Sequence, residues 1–211
     1  MSEERKPAGE VFVVDDDAAV RATLSAVLSM EGFQVTGFAD GASFLAAARE
    51  RTPACVILDV YMPGRSGLDI LKELNAEQYP APIFIISGLG DVRIAVEAIK
   101  SGAFDFIEKP FDGPSVVCRL RKAIEAWARR VTDPAGLDIS SQRVPGWDLL
   151  SRRERDVLRQ ITGGASNKEA GRQLGISTRT VEIHRARVME KLGVRNAVEL
   201  VRLVLGDGRN G

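Results

Sequence analysis

Val11-Phe12-Val13-Val14-Asp15-Asp16-Asp17 is a strand-length apolar run that ends abruptly in three acids, and the helical pattern Ala18–Met30 follows it at once. The same alternation recurs down the first half of the chain. Val35–Phe38, Cys55–Leu58, Ile83–Ile86 and Phe104–Ile107 are short and rich in β-branched or aromatic residues, and Cys55–Leu58 and Ile83–Ile86 are continuously apolar. Gly41–Arg51, Gly67–Glu77, Val92–Lys100 and Pro114–Arg130 carry helical periodicity between and after them. Strands apolar on both faces, each followed by a helix, predict a doubly wound parallel sheet of (βα)5 type, an α/β domain over residues 1–130.

Past that point the pattern changes. From Val131 to Leu149 the chain carries turn signals, Asp133-Pro134-Ala135-Gly136 and Val144-Pro145-Gly146, which predict a linker. Residues 150–211 then read as a small all-α domain of four helices. Ser151 and Glu154 form a capping box opening the first, Ser151–Thr162. Asn167 is expected to cap a second to Leu174, Ser177 or Thr178 a third to about Leu192, and the fourth is expected over Asn196–Leu205.

The zero net charge hides an asymmetry. Residues 1–130 carry 15 Lys/Arg against 19 Asp/Glu, whereas from Leu150 onward the count is 13 against 7. An acidic first half and a basic second half suit an anionic partner for the second domain. No apolar run approaches the roughly 18 residues of a membrane span, and the polar Met1–Lys6 segment carries no visible signal peptide, so a cytoplasmic protein is expected. Cys55 and Cys118 lie outside any metal-ligand spacing and read as buried thiols.

Ligands of open α/β sheets gather at the carboxyl ends of the strands. Those ends carry Asp15-Asp16-Asp17, Asp59, Ser87 and Glu108-Lys109. Several carboxylates on one rim repel one another unless a hard cation sits among them, and Mg²⁺ suits such oxygen ligands. A carboxylate can then act as a nucleophile toward phosphorus while lysine and metal neutralise the phosphoryl charge. Helix N-capping explains Asp17 or Asp91 equally well, but not Lys109 on the same rim.

Val13-Val14-Asp15-Asp16-Asp17, Leu58-Asp59-Val60-Tyr61-Met62-Pro63-Gly64, Ile86-Ser87-Gly88 and Phe106-Ile107-Glu108-Lys109-Pro110-Phe111 together resemble the signature of the receiver domain. The resemblance implies that Asp59 accepts a phosphoryl group from a sensor histidine kinase. It implies that Asp15, Asp16, Asp59 and the Tyr61 backbone carbonyl hold Mg²⁺. Ser87 and Lys109 then bind the phosphoryl group, and Phe106 occupies an aromatic switch position. Ser87 and Phe106 stand where Thr and Tyr are commoner. Such a chain is a phosphoacceptor, not a turnover enzyme, with at most slow autophosphorylation and autodephosphorylation.

In the basic half, a short helix, a turn and a longer capped helix suggest a helix-turn-helix. At 100° per residue, Val181, Arg185, Val188 and Leu192 share one face of the third helix and are assigned to the core. Arg179, Glu182, Ile183, Ala186, Arg187 and Glu190 lie opposite, free for a major groove. Arg185, a charge on the inner face, is expected to pair with Glu154 or Glu169, and His184 to pack between helices or touch phosphate. Leu150–Leu158, Asn167–Gly171 and Ser177–Leu192 resemble the LuxR-type DNA-binding domain, with Thr180–Met189 the most distinctive stretch. Both resemblances in one chain point to the NarL/FixJ family. They imply duplex operator DNA contacted by Lys168, Thr178, Arg179, Thr180, Glu182, Ile183, Ala186 and Arg187. They also imply dimerisation on phosphorylation, and RNA polymerase as a further partner. Two other readings compete: an aspartyl-phosphate enzyme using Asp15 as nucleophile, and a protein- or RNA-binding helical module.

Overall fold

The computed structural model describes residues 9–88, 92–132 and 144–196, with 199–200 and 203–204, and divides the chain into two compact units, Met1–Trp127 and Ala128–Gly211. Asp91, residues 133–143 of the expected linker, and residues 197, 198, 201, 202 and 205 of the expected helix Asn196–Leu205 lie outside the described residues.

In the first unit, β1 (Glu10–Val14), β2 (Gln34–Phe38), β3 (Cys55–Asp59), β4 (Ile83–Ser87) and β5 (Asp105–Glu108) form one parallel sheet in the order β2-β1-β3-β4-β5. Five helices follow them in turn: α1 (Ala18–Met30), α2 (Gly41–Glu50), α3 (Gly67–Glu73), α4 (Val92–Lys100) and α5 (Gly113–Thr132). Every residue of β3 and β4 is buried. Successive strand side chains point to opposite faces, so complete burial means that helices cover both sides. The α/β doubly wound reading therefore holds, with strand ends displaced by a residue or so. The third helix is shorter than its pattern, stopping at Glu73 instead of Glu77. Cys55 is buried, but Cys118 is exposed on α5, contrary to the expectation for both thiols.

The second unit packs α6 (Arg152–Thr162), α7 (Asn167–Leu174) and α8 (Thr178–Lys191) in mutual contact. The capping box of Ser151 with Glu154 is present. Ser166, not Asn167, caps α7, through a second capping box with Glu169. Gly175 ends α7 at φ 68°, a left-handed conformation that glycine adopts without the steric cost of a Cβ. The expected linker is partly folded at both ends. α5 runs to Thr132, while Val144 is buried. A 3-10 turn, Trp147–Leu149, brings the indole of Trp147 under the guanidiniums of Arg155 and Arg159, at 5.4 and 5.7 Å from the ring centre. Among the described residues, no helix is long and apolar enough to cross a membrane.

Candidate phosphoacceptor site and recognition helix

The strand order places β1 beside β3, and their two chains turn off in opposite directions along the sheet. A crevice opens at such a switch point, on the carboxyl side of the strands. Asp15 leaves β1 there and Asp59 ends β3; both are buried, as is Ser87 at the end of β4. Lys109, just beyond β5, reaches across: its Nζ donates to Asp15 Oδ2 at 2.9 Å and to Asp59 Oδ1 at 2.7 Å. The lysine is placed by its own backbone N–H, which donates to the Ser87 carbonyl at 2.7 Å. The remaining carboxylate oxygens are also held. The Tyr61 N–H donates to Asp59 Oδ2 at 2.8 Å, and the Asp17 N–H to Asp15 Oδ1 at 2.9 Å. Asp17 itself caps α1, accepting from the Ala19 N–H at 2.8 Å.

Burial pushes the Asp59 carboxyl above its ordinary value, and the charge of Asp15 adds to the push. The hydrogen bond and charge of Lys109 pull the other way without cancelling it. Burial lowers the Lys109 ammonium, but hydrogen bonds and charge from Asp59 and Asp15 outweigh it, and its net shift is upward. Asp16, exposed at the mouth, brings a third carboxylate, and ligand atoms of Asp15, Asp16 and Asp59 lie within 4.8 Å of one another. Three carboxylates against one ammonium leave a deficit of two positive charges. An all-oxygen donor set with that deficit fits a hard divalent cation.

Phe106 is half-buried on β5, and Tyr61 presents its ring to solvent, 58% exposed. Gly67, the first residue of α3, was not singled out by the sequence. A Cβ there would stand 2.3 Å from the Asp59 carbonyl oxygen, a backbone atom that cannot step aside. Gly67→Ala should therefore destabilise the first unit by about 1–3 kcal/mol, read as a lowered urea midpoint, and should slow modification of Asp59 by displacing its backbone.

In the second unit the groove-facing residues are fewer than expected. Lys168, Thr178, Arg179, Glu182 and Ala186 are exposed. Arg179 Nη1 meets Glu182 Oε2 at 3.3 Å across one helical turn. Thr180 and Ile183 are buried and face the core. Arg187 is largely covered, its Nε 3.2 Å from Glu154 Oε1, and is not free for phosphate. The buried positions Thr180, Val181, Ile183, His184 and Val188 span an arc of about 160° at 3.6 residues per turn. That arc is wide because both α6 and α7 pack on α8. Burial of His184 leaves the packing reading and removes the phosphate one. Arg185 pairs with neither Glu154 nor Glu169; its Nη1 donates to Asn167 Oδ1 at 3.3 Å.

Known proteins resolve the two units into families. The receiver domain of response regulators matches residues 11–121, and the luxR family of bacterial regulatory proteins matches residues 148–204. The chain is 43% identical to the transcriptional regulatory protein FixJ of Bradyrhizobium diazoefficiens over 201 residues, covering 95% of this chain and 96% of that one. It belongs to the NarL/FixJ family of response regulators. FixJ of Rhizobium meliloti is 38% identical over 94% of the regulator and 96% of its own length. Among solved structures, full-length FixJ from B. japonicum superposes with a TM-score of 0.58 at 40% identity, covering 98% of the regulator and 100% of that chain. The response regulator StyR does so with a TM-score of 0.51 at 34% identity, over 93% and 98%. The regulator thus joins a receiver to a LuxR-type DNA-binding domain, the composition of a two-component transcriptional regulator.

Proposed function

We propose that the regulator accepts a phosphoryl group on Asp59 from the phosphohistidine of a sensor kinase, and that this modification raises its affinity for duplex operator DNA. The observation that carries the reading is the bridge of Lys109 Nζ to both Asp15 and Asp59. It hydrogen-bonds a buried carboxylate to a cation that can follow charge onto an incoming group. As the P–O bond to Asp59 forms, the P–N bond breaks; the electron pair stays on the imidazole, which takes up a proton. Asp15, Asp16, Asp59 and the Tyr61 carbonyl would hold Mg²⁺, which when bound neutralises charge on the phosphoryl oxygens. Lys109 and the Ser87 hydroxyl donate to those oxygens. As Ser87 is drawn toward them, the Phe106 ring turns inward. The acyl phosphate is lost slowly, and the protein acts by occupancy, not turnover.

The outer face of the switch includes α4, β5 and α5. Arg93, Lys100 and Asp112 are exposed there. Arg119 and Arg121 of α5 are committed within the unit. Arg119 bonds the buried Asp105 and the Phe106 carbonyl, and Arg121 pairs with Glu31 at 2.8 Å. Glu97 meets Lys72 at 3.1 Å. Pairing of two phosphorylated receivers through this face brings two recognition helices to one operator. The regulator works in the cytoplasm, with RNA polymerase as the downstream partner.

Lys168, Thr178, Arg179, Glu182 and Ala186 form the DNA-facing set. The exposed Arg179–Glu182 pair is worth little in water, so Arg179 can exchange Glu182 for a phosphate or a guanine edge at small cost. Titration of duplex DNA at several salt concentrations tests this. Arg179→Ala should weaken binding and reduce the slope of log K against log salt by about one if it contacts a phosphate. Strongly salt-dependent binding to duplex DNA with a sequence preference would exclude a protein- or RNA-binding module.

A further inference from the structure

Arg21 lies near the start of α1, and its guanidinium turns back on the loop that precedes the helix. Nη1 donates to the backbone carbonyls of Asp15 at 2.7 Å and of Asp16 at 2.9 Å. These are the backbones of two of the three acids in the cluster, and Arg21 touches neither carboxylate. Two backbone N–H groups of the loop donate as well, that of Asp17 to Asp15 Oδ1 and that of Asp15 to the Phe38 carbonyl at 3.1 Å, and Lys109 holds the Asp15 carboxylate. Two adjacent carbonyls drawn to one nitrogen set the planes of the peptides that follow Asp15 and Asp16. They thereby set the directions in which both side chains leave the backbone. Asp16, which is exposed, depends on this most.

We infer that Arg21 is a positioning residue for the divalent-cation site, holding Asp15 and Asp16 in ligating orientation before the ion arrives. The inference rests on the reading of the acidic cluster as a cation site. Charge alone predicts the opposite effect. A guanidinium beside the cluster repels a cation, so deleting it as a charge would tighten binding. Deleting it as a brace weakens binding, by about 10- to 100-fold for partners that orient metal ligands. A second signature is ionic. Mg²⁺ demands near-ideal octahedral geometry at about 2.0–2.1 Å, whereas Ca²⁺ accepts irregular shells at about 2.3–2.6 Å. Loss of the brace therefore falls more heavily on Mg²⁺.

Full-length wild type, Arg21→Met and Arg21→Lys titrated calorimetrically with Mg²⁺ and Ca²⁺ test the inference, with Mn²⁺ counted by electron paramagnetic resonance. Arg21→Met keeps the apolar stem; Arg21→Lys keeps the charge and loses the rigid guanidinium. Arg21→Met should bind Mg²⁺ about 10-fold more weakly or worse, lose less for Ca²⁺, and recover wild-type Asp59 labelling at saturating Mg²⁺. Arg21→Lys should fall between, and it carries the test if the Met variant does not fold. Unchanged or tighter Mg²⁺ binding, equal losses for the two ions, or labelling that stays slow at saturation would overturn the positioning role with the cation reading intact. A wild type that binds none of the three ions, or binds them unchanged after Asp16→Ala, would overturn the cation reading itself.

Discussion

Asp59→Asn should reduce phosphate labelling by acetyl phosphate or a cognate kinase to background, because among the described residues no other carboxylate combines its placement and partners. Asp15 is equally buried and shares Lys109. It lies just past β1, however, with one oxygen tied to the Asp17 N–H, and in the proposed function it is a metal ligand. A hydroxylamine-labile phosphate persisting in Asp59→Asn but lost in Asp15→Asn would support the aspartyl-phosphate enzyme reading instead. The substitution has a second expected result, on stability. The folded carboxyl sits above its ordinary value of 3.8, with burial as the leading cause. Ionising it therefore costs folding free energy as pH rises from 3.8 through the folded value. Asn carries no such cost, so at neutral pH without divalent cations Asp59→Asn should melt a few degrees above wild type. A gain of about 1 kcal/mol corresponds to that shift. The advantage should shrink as pH falls toward 3.8, and Mg²⁺ should raise the wild-type midpoint more than the variant's.

The second large effect is expected at Glu154, a carboxylate buried in the second unit. Its Oε2 accepts from the Ser151 N–H at 2.7 Å and from Lys191 Nζ at 2.7 Å, and its Oε1 lies 3.2 Å from Arg187 Nε in an ion pair. One side chain thus closes the start of α6 and fastens it to the far half of α8. Glu154→Ala leaves two cations without their buried partner and opens the cap. Breaking a buried pair from one side costs about 3–5 kcal/mol, a large share of the stability of a small domain. Thermal unfolding of the full chain should show the second unit melting well below wild type, with operator binding lost in parallel. Glu154→Gln keeps the shape and the cap acceptor and should recover only part of the loss. Arg187→Ala should lower stability without changing the salt slope at saturating folded fraction, because its guanidinium is committed inside the unit. A Glu154→Ala midpoint within a degree of wild type would contradict this account of the anchor.

The sheet and its rim were legible because both follow from local rules. Continuous apolar runs mark strands covered on two faces, and the polar residues that end them meet at one edge whatever the details of packing. Asp15, Asp59, Ser87 and Lys109 therefore came together as their positions along the chain implied. The recognition helix was harder to read. A single stripe through Val181, Arg185 and Val188 describes a helix resting on one neighbour, whereas α8 rests on two. The second contact draws in Ile183 and Thr180 and turns Arg187 toward Glu154. Glu154 was visible as half of a capping box, but its pairs with Arg187 and Lys191 span distances in sequence that carry no local signal. Gly67 and Arg21 act through backbone atoms, the Asp59 carbonyl in one case and the Asp15 and Asp16 carbonyls in the other. Such contacts leave no trace in a residue pattern.

The central claim is that phosphorylation of Asp59 governs the DNA affinity of the second unit. Its most direct test is one titration of operator DNA, at fixed salt and with Mg²⁺ present, against wild type and Asp59→Asn, each before and after incubation with a phosphodonor. The account predicts a rise in affinity for phosphorylated wild type and none for the variant. An equal rise in Asp59→Asn, or no change in fully labelled wild type, would contradict it.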